Sequence, residues 1–424
     1  MMPDLHDFRL VTASAYPGMM APLTTHPSCL CVLSGDADQK LATPAAQGSM
    51  GAMGEGPASL SLEALDGIRR RWRFGDVARL ADFVPKVLAD DPRPDRRPIL
   101  LIPPRASAAW EAAAQAWPGK VRLAASPRSV VEPIAEDKIQ VREWLRRIDV
   151  RVPTAVATAV VHFSATATRL GVPFVMQAPG GAGGQGTYLI RAKADVERAV
   201  AQMPHVERWL LSRFSGEQTI NASGIVHADG VDLLPVSIQT SGIQRLGVGF
   251  GSYCGSDFAA AAALPAAVLE QAERICVRIG QWLQQLGHRG IFGADIAVDG
   301  NELAVLEVNP RIQGSSWLVG RLEQHVLAIL GGPVPPASGR PGTPGSHLLV
   351  RWSGRAGVIH ALPEAVEGIT ALPAIGTTVL PGAIIARIQS AESLAEPTGR
   401  DLKPQTHALL DKLLGAIEIT TANV

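Results

Sequence analysis

The chain has 424 residues, room for two to four domains at roughly 100–200 residues each. Hydrophobic residues make up 46% and charged residues 18%, a balance that excludes a disordered chain. Lys+Arg and Asp+Glu each number 39, so the formal net charge is zero and no nucleic-acid partner is expected, because such binders carry a basic excess. The densest basic run, Arg69-Arg70-Arg71, reads as a solvated helix face or a local basic patch. Four scattered cysteines, Cys29, Cys31, Cys254 and Cys276, make neither a disulfide framework nor a Cys-x-x-Cys zinc pair. The first residues carry Asp4 and Asp7 with no basic-then-apolar pattern, so no signal peptide is expected. The longest apolar run, 258–269, is broken by Pro265 and falls short of the roughly 20 residues that span a bilayer. A cytoplasmic protein with no membrane partner is expected.

Residues 36–60 are rich in Ala, Gly, Met and Pro and read as an irregular segment. Before it, Cys29-Leu30-Cys31-Val32-Leu33 reads as a short buried strand ending in Ser34-Gly35-Asp36 turn chemistry. Ile99-Leu100-Leu101-Ile102 is an apolar run stopped by Pro103-Pro104, the pattern of a buried parallel strand. A helix over 107–117 and a strand over 121–123 continue a βαβ rhythm, so residues 1–135 are expected to form a small α/β domain.

From residue 136 a second domain is expected to reach residue 330, with a small lobe at about 150–212. Asp137 can cap a helix running to Arg147, with Ile139, Trp144, Leu145 and Ile148 on one face. Strands over 174–176 and 187–190 flank Gly180-Gly181-Ala182-Gly183-Gly184-Gln185-Gly186. A helix follows over 195–203, and 209–213 with 219–227 read as a strand pair. Residues 265–286 read as a long amphipathic helix with Pro265 in its first turn, where a missing N–H costs little. Strands over 292–298 and 303–308 enclose Asp299-Gly300-Asn301, a strong hairpin signal. The Pro/Gly-rich stretch 331–346 reads as a linker. Residues 347–424, with strands over 347–352, 377–380 and 384–388 and a helix over 402–417, read as a small C-terminal α/β subdomain.

Two constellations carry chemistry. Five glycines in seven residues between two strands suit either a backbone anion nest or a plain flexible hairpin. The strand-to-strand setting is not that of a Walker loop or a Rossmann turn. The hairpin at 299–301 folds Asp295 beside Glu307 and Asn309, and residues two apart on a strand share a face. Three hard oxygen ligands then converge, the set Mg²⁺ prefers. Arg311 follows on the same side, where it can neutralise a phosphate or a developing oxyanion. The alternative is a surface hairpin with solvated charges, but Val305, Leu306 and Val308 pull the strand inward. Cys254, within the glycine-rich stretch 246–257, has no paired His and reads as a small buried thiol rather than a nucleophile. That stretch is expected to be a loop lining an acceptor site. His347 and Arg351, four apart on a strand, suit either carboxylate binding or a solvated face.

In order along the chain, Glu136-Asp137-Lys138, the glycine hairpin, the segment 212–218, and Gly290-Ile291-Phe292-Gly293-Ala294-Asp295 through Glu307-Val308-Asn309-Pro310-Arg311-Ile312-Gln313-Gly314-Ser315-Ser316 resemble the motifs of ATP-grasp enzymes. The resemblance covers about residues 100–420. It implies an α/β (α+β) ATP-grasp fold: an N-terminal α/β pre-ATP-grasp domain, a two-lobed ATP-grasp domain and a small C-terminal subdomain. It implies ATP as cofactor with Mg²⁺, or Mn²⁺ in its place, held by Asp295, Glu307 and Asn309. Lys138 would contact the α- and β-phosphates, and Gly183, Gly184 and Gly186 would belong to the loop that covers them. Arg311, with Glu307, would act catalytically on the acyl phosphate. Adenine would lie against 210–213, Leu211 included, with Glu217 or Gln218 as the ribose ligand. Val305, Leu306 and Met176 would be either the adenine wall or plain core.

Two positions depart from the family pattern. Gln177 stands where most members have a second phosphate-binding Lys, and Leu211 or Ser212 stands in place of the hinge acid. Within the family, Gln177, Tyr253-Cys254-Gly255-Ser256-Asp257 and the 290–295 strand resemble the biotin-carboxylase-like and L-amino acid ligase members. The resemblance implies a carbon–nitrogen ligase that activates a carboxylate as an acyl phosphate, joins it to an amine and releases ADP and phosphate. Amino acids or small peptides would be its small-molecule substrates, and a homodimer would be compatible. The rival readings are a bicarbonate-activating enzyme and, prompted by Gln177, a nucleotide-binding protein without catalysis.

Overall fold

The computed structural model describes residues 4–14, 17–35, 57–62, 74–89, 96–181, 183–335, 344–363 and 367–421. At the N-terminus five strands form one parallel sheet in the order Ala58–Ser61, Cys29–Ser34, Arg9–Ser14, Ile99–Ile102, Val121–Leu123. Arg9–Ser14, Cys29–Ser34 and Ile99–Ile102 are buried along their whole length, as parallel strands covered on both faces require. Ser107 caps the helix Ala108–Gln115 through the Trp110 N–H. Ala58–Ser61 corrects one expectation: the end of the supposedly irregular segment 36–60 is the edge strand of this sheet. Residues 36–56 and Arg69–Arg71 lie outside the described residues.

The chain order reverses between Arg9–Ser14 and Ile99–Ile102, and ligands of open α/β sheets gather beyond the carboxyl ends of strands at such a switch. Here that end meets the second domain. The Ile312 N–H, just past Asn309-Pro310-Arg311, donates to the Pro104 carbonyl at 3.1 Å.

Asp137 caps the helix Lys138–Arg147 as expected, accepting from the Ile139 and Gln140 N–H groups, each at 3.0 Å. The buried face is not the expected one. Lys138, Val141, Arg142 and Leu145 are buried, while Ile139, Trp144 and Ile148 are only half-buried. Two cations thus occupy inward positions. Asp137→Ala is expected to cost about 1 kcal/mol, read as a lower urea midpoint at unchanged slope.

The small lobe is a four-stranded sheet in the order Ala155–Thr158, Trp209–Arg213, Phe174–Gln177, Thr187–Ile190, with helices Phe163–Leu170 and Lys193–Gln202. Phe174, Met176, Ile190, Val196, Trp209 and Leu211 fill its core. The expected pairing of 209–213 with 219–227 does not form. Trp209–Arg213 pairs inside the small lobe, and Gln218–Val226 opens the large one. The turn between them is therefore the joint between lobes.

The large lobe is an eight-stranded antiparallel sheet. Its order is Glu302–Asn309, Gly290–Asp299, Gln218–Val226, Val231–Ser241, Tyr253–Asp257, Ser346–Arg351, Ile384–Ser390, Ile369–Thr370. The helix Ala266–Gln285 packs on it through Val268, Ala272, Cys276, Ile279 and Leu283, the i, i+4, i+8 stripe its periodicity predicts. Pro265 is its N-cap rather than part of its first turn. Tyr253–Asp257 is a strand inside the stretch expected to be a loop. Strands after the 331–346 stretch join the same sheet, so the C-terminal segment is continuous with the large lobe. Only the small sheet of Thr378–Val379, Gly357–Ala361 and Glu418–Thr421, with the helix Pro404–Ala416, stands beside it. Among the described residues no helix is long and apolar enough to cross a membrane.

Candidate active site

The hairpin Gly290–Asp299 / Glu302–Asn309 turns at Gly300, whose φ of 59° lies in the left-handed region. From the turn, Asp299 pairs with Glu302, Ala297 with Ala304 and Ile296 with Val305. Continued without a break, that register would set Leu306 opposite Asp295. Instead the register shifts there, and Glu307 faces Asp295. One bulged residue therefore creates the acid pair, a use of bulges common beside active sites. Asn309 lies two residues further, opposite Gly293.

On the other side of Asp295 lies Asn221 of Gln218–Val226. Its Nδ2 donates to Asp295 Oδ1 at 2.7 Å and to Gln313 Oε1 at 2.8 Å. Gln313 lies over Gly293, where a Cβ would collide with its amide. Arg311 Nη2 donates to Asn309 Oδ1 at 3.0 Å. Burial, and then the charge of Glu307, push the Asp295 carboxyl up to about 6, against the opposing pull of Asn221, Gln239 and Arg311. Close packing lowers the Arg311 guanidinium, while Glu307 and Asp295 work against that shift.

Among the described residues no three His, Cys, Asp or Glu side chains converge, so a cation here needs the amide of Asn309 besides the two acids. Two carboxylates forced together and an amide oxygen are hard donors that suit a hard divalent cation. The Asn309 oxygen faces Arg311, so metal binding would have to turn that amide. In the metal-free protein the raised Asp295 pKa stabilises the fold below its ordinary value of 3.8, and this contribution is lost as pH rises through about 6. A cation competes with that proton. The melting-temperature increase caused by Mg²⁺ is therefore expected to grow from about pH 5 to about pH 7.5, read by differential scanning fluorimetry.

Buried Lys138, at the start of the helix packed on Glu302–Asn309, donates from Nζ to the Gly181 carbonyl at 2.8 Å, and its N–H donates to the Pro179 carbonyl at 3.0 Å. Helix start and glycine loop are thereby tied together. Gly183, Gly184 and Gly186 all have positive φ. At Gly184 the loop lies against Gly251 and Ser252 so closely that a Cβ would run into the Gly251 carbonyl. Gln177, at the foot of the loop, accepts from Arg142 Nη2 at 3.2 Å and lies 3.4 Å from Thr187 Oγ1 through its Nε2. Arg142 Nη1 donates to Ser212 Oγ at 2.7 Å. Burial lowers the Arg142 pKa to about 10, which still leaves it cationic at neutral pH.

A cavity of about 130 Å³ opens between the lobes. Its lining includes Val152, Pro153, Phe214 and Ser215 from the lobe junction, and Ala297 and Ala304 from the hairpin. Ala297 and Ala304 face each other one step along from the acid pair, and Ala297 shares the pleat face of Asp295. The small alanines leave room there for a flat ring.

Several expected lining residues do not line it. Val305 and Met176 are fully buried in the two lobe cores, and Leu211 belongs to the small-lobe core. Leu306 is the half-buried bulge residue. Gln218 pairs with Val298, on the pleat face away from Asp295, and donates to the Pro397 carbonyl at 2.6 Å. Glu217 is exposed at the strand entrance. Cys254 is buried and its thiol is pushed up to about 11, so it stays protonated at neutral pH. The register shift between Val350 and Arg351 leaves its extra residue, Ile385, on the neighbouring strand, so His347 and Arg351 keep their spacing on Ser346–Arg351. His347 is fully buried against the Tyr253 hydroxyl, its Nε2 at 3.1 Å, with its pKa lowered to about 3. His347 is therefore not part of a solvated strand face.

Sequence reading missed Arg142, Asn221 and Gln313. The first was hidden by the assumption that a helix buries its apolar stripe. The signal for Asn221 was an amide in the middle of a buried strand.

Residues 135–315 match the family model for the ATP-grasp domain. The chain carries an ATP-grasp domain. Its boundaries take in the Asp137 helix, the glycine hairpin and the Asp295–Glu307 pair. Over 278 residues the chain is 28% identical to formate-dependent phosphoribosylglycinamide formyltransferase of Burkholderia pseudomallei (strain 668), covering 60% of this chain and 63% of that one. The chain thus spans less than two thirds of the length of that curated relative. Carboxyaminoimidazole ribonucleotide synthase of Aspergillus clavatus, solved with ATP, is similar in structure at TM-score 0.59 and 14% identity, covering 96% of this chain and 99% of that one. Biotin carboxylase of Campylobacter jejuni is similar at TM-score 0.62 and 13% identity, covering 97% and 92%. These likenesses extend the ATP-grasp fold over the flanking segments.

Proposed function

We propose that the chain is an ATP-dependent ligase that activates a carboxylate as an acyl phosphate and passes it to an amine. The Asp295–Glu307 pair carries this reading: it lies near Arg311, and the Ala297–Ala304 pair that lines the cavity at the lobe junction is its neighbour along the same hairpin. The adenine ring occupies the Ala297–Ala304 cavity, with Glu217 at its mouth as the ribose ligand. The triphosphate runs towards Lys138 and the glycine loop. Asp295, Glu307 and Asn309 hold Mg²⁺ or Mn²⁺, which when bound supplies positive charge to the phosphate oxygens. The substrate carboxylate attacks the γ-phosphorus and ADP leaves; the amine then displaces phosphate from the acyl carbon. Arg311 neutralises charge on the transferring group, and the loop excludes the water that would hydrolyse the intermediate. The carboxylate and amine enter where the 103–106 turn of the N-terminal sheet meets Arg311, since the Ile312–Pro104 hydrogen bond fixes those segments together.

The test is an ADP-release screen over paired carboxylates and amines, with mass spectrometry of the product. Amino acids and short peptides form one arm. Formate and bicarbonate form a second, motivated by the formate-dependent relative and the similarity to biotin carboxylase. ATP binding with no ADP release from any pair would favour a nucleotide-binding protein without catalysis. The intact acid pair and Arg311 weigh against that outcome.

A further inference from the structure

Arg142 is 2% exposed, and among the described residues no carboxylate lies within ion-pair reach of it. Its guanidinium rests on two neutral groups, Ser212 Oγ and Gln177 Oε1, and among the described residues its Nε has no hydrogen-bond partner. A buried cation without a counter-charge is destabilising, and a fold that needed only packing would place an aliphatic side chain there. The opposite charge that acts on it is that of Glu307, on the strand against which the Lys138–Arg147 helix packs. It joins three elements around the lobe joint: the Lys138 helix, the strand entering the glycine loop and the strand leaving for the large lobe.

The orientation of Gln177 follows from this. An amide can present either its oxygen or its NH₂ to a ligand. With Oε1 fixed on the guanidinium, Gln177 turns its NH₂ towards Thr187 and the foot of the glycine loop. One of its two N–H bonds addresses Thr187 Oγ1, and the other is available to an anion. A cation on the oxygen of an amide also strengthens its N–H as a donor.

We propose that Arg142 is a positioning residue that locks and polarises Gln177, so that the pair binds the phosphate chain under the glycine loop as a single cationic donor. This rests on the ATP reading above for the identity of the anion, though not for its charge. Gln177 touches the phosphate; Arg142 acts through it and loses its uncompensated burial when the anion arrives.

Gln177→Glu keeps the shape and supplies Arg142 with a carboxylate. Calorimetry is expected to show at least a tenfold loss in affinity for ATP and for tripolyphosphate, with adenosine affinity within twofold and an unchanged or raised melting temperature. Arg142→Met is expected to lose ATP affinity similarly, and Arg142→Met with Gln177→Lys to recover most of it. A merely structural role would weaken adenosine and ATP alike and would not be rescued by the lysine. Unchanged ATP and tripolyphosphate affinity in Gln177→Glu overturns the inference and leaves the ATP reading standing. Tripolyphosphate binding that Gln177→Glu abolishes, in a wild type that ignores ATP, supports the inference and overturns that reading. Wild-type protein that binds neither overturns both.

Discussion

Glu307→Gln is expected to lower ATP turnover by at least about a hundredfold, measured as ADP release with the best substrate pair from the screen. The substitution keeps the side-chain shape and the bulged register that sets residue 307 opposite Asp295. It removes one of only two carboxylates from a set completed by an amide, so the divalent cation loses much of its hold. The same change relieves Asp295 of a like charge. The metal-free variant is therefore expected to be at least as stable as wild type near neutral pH. Loss of turnover with retained melting temperature separates a functional role from a folding one. Near-normal turnover would sink the metal assignment.

Gly184→Val should be nearly as damaging, for a different reason. A Cβ at Gly184 meets the Gly251 carbonyl and Ser252 Cα, all backbone, so no side chain can swing aside. Its φ of 87° adds strain for any L side chain. The loop would be held off the 249–252 turn and water admitted to the intermediate. The expected outcome is about a hundredfold drop in product formation while ADP affinity changes only a few-fold. Gly183→Asn is the control. Its φ of 64° suits Asn and nothing lies within 4 Å of its Cβ. Equal loss in both variants would show that the loop needs glycine for flexibility and not for its seat on Gly251.

The parts legible in the sequence were those where local chemistry and tertiary structure agree. Asp137 before a helix, Asp299-Gly300-Asn301 between two strands and Ile99–Ile102 before two prolines each act over a few residues. The Asp295–Glu307 pairing was legible only approximately, because counting along an ideal strand cannot detect an extra residue at Leu306. Strand partners were less accessible still. Trp209–Arg213 and Gln218–Val226 are neighbours in sequence and belong to different sheets, a choice made by long-range packing around Phe174 and Ile220. Burial of Lys138 and Arg142 ran against every hydrophobicity rule, and such local violations mark where a fold gives up stability for another purpose.

The sheet that carries the acid pair also sets an order of assembly. Tyr253–Asp257 receives its outer neighbour only from Ser346–Arg351, which in turn pairs with Ile384–Ser390. During synthesis from the N-terminus, the ATP-grasp domain is complete in sequence while this edge is still open. An unpaired, buried-type strand is a template for wrong partners. The nascent chain thus passes through a stage at which all the candidate chemistry exists and the protein is at its most prone to aggregate. Fragments ending near residue 330 would be caught permanently at that stage.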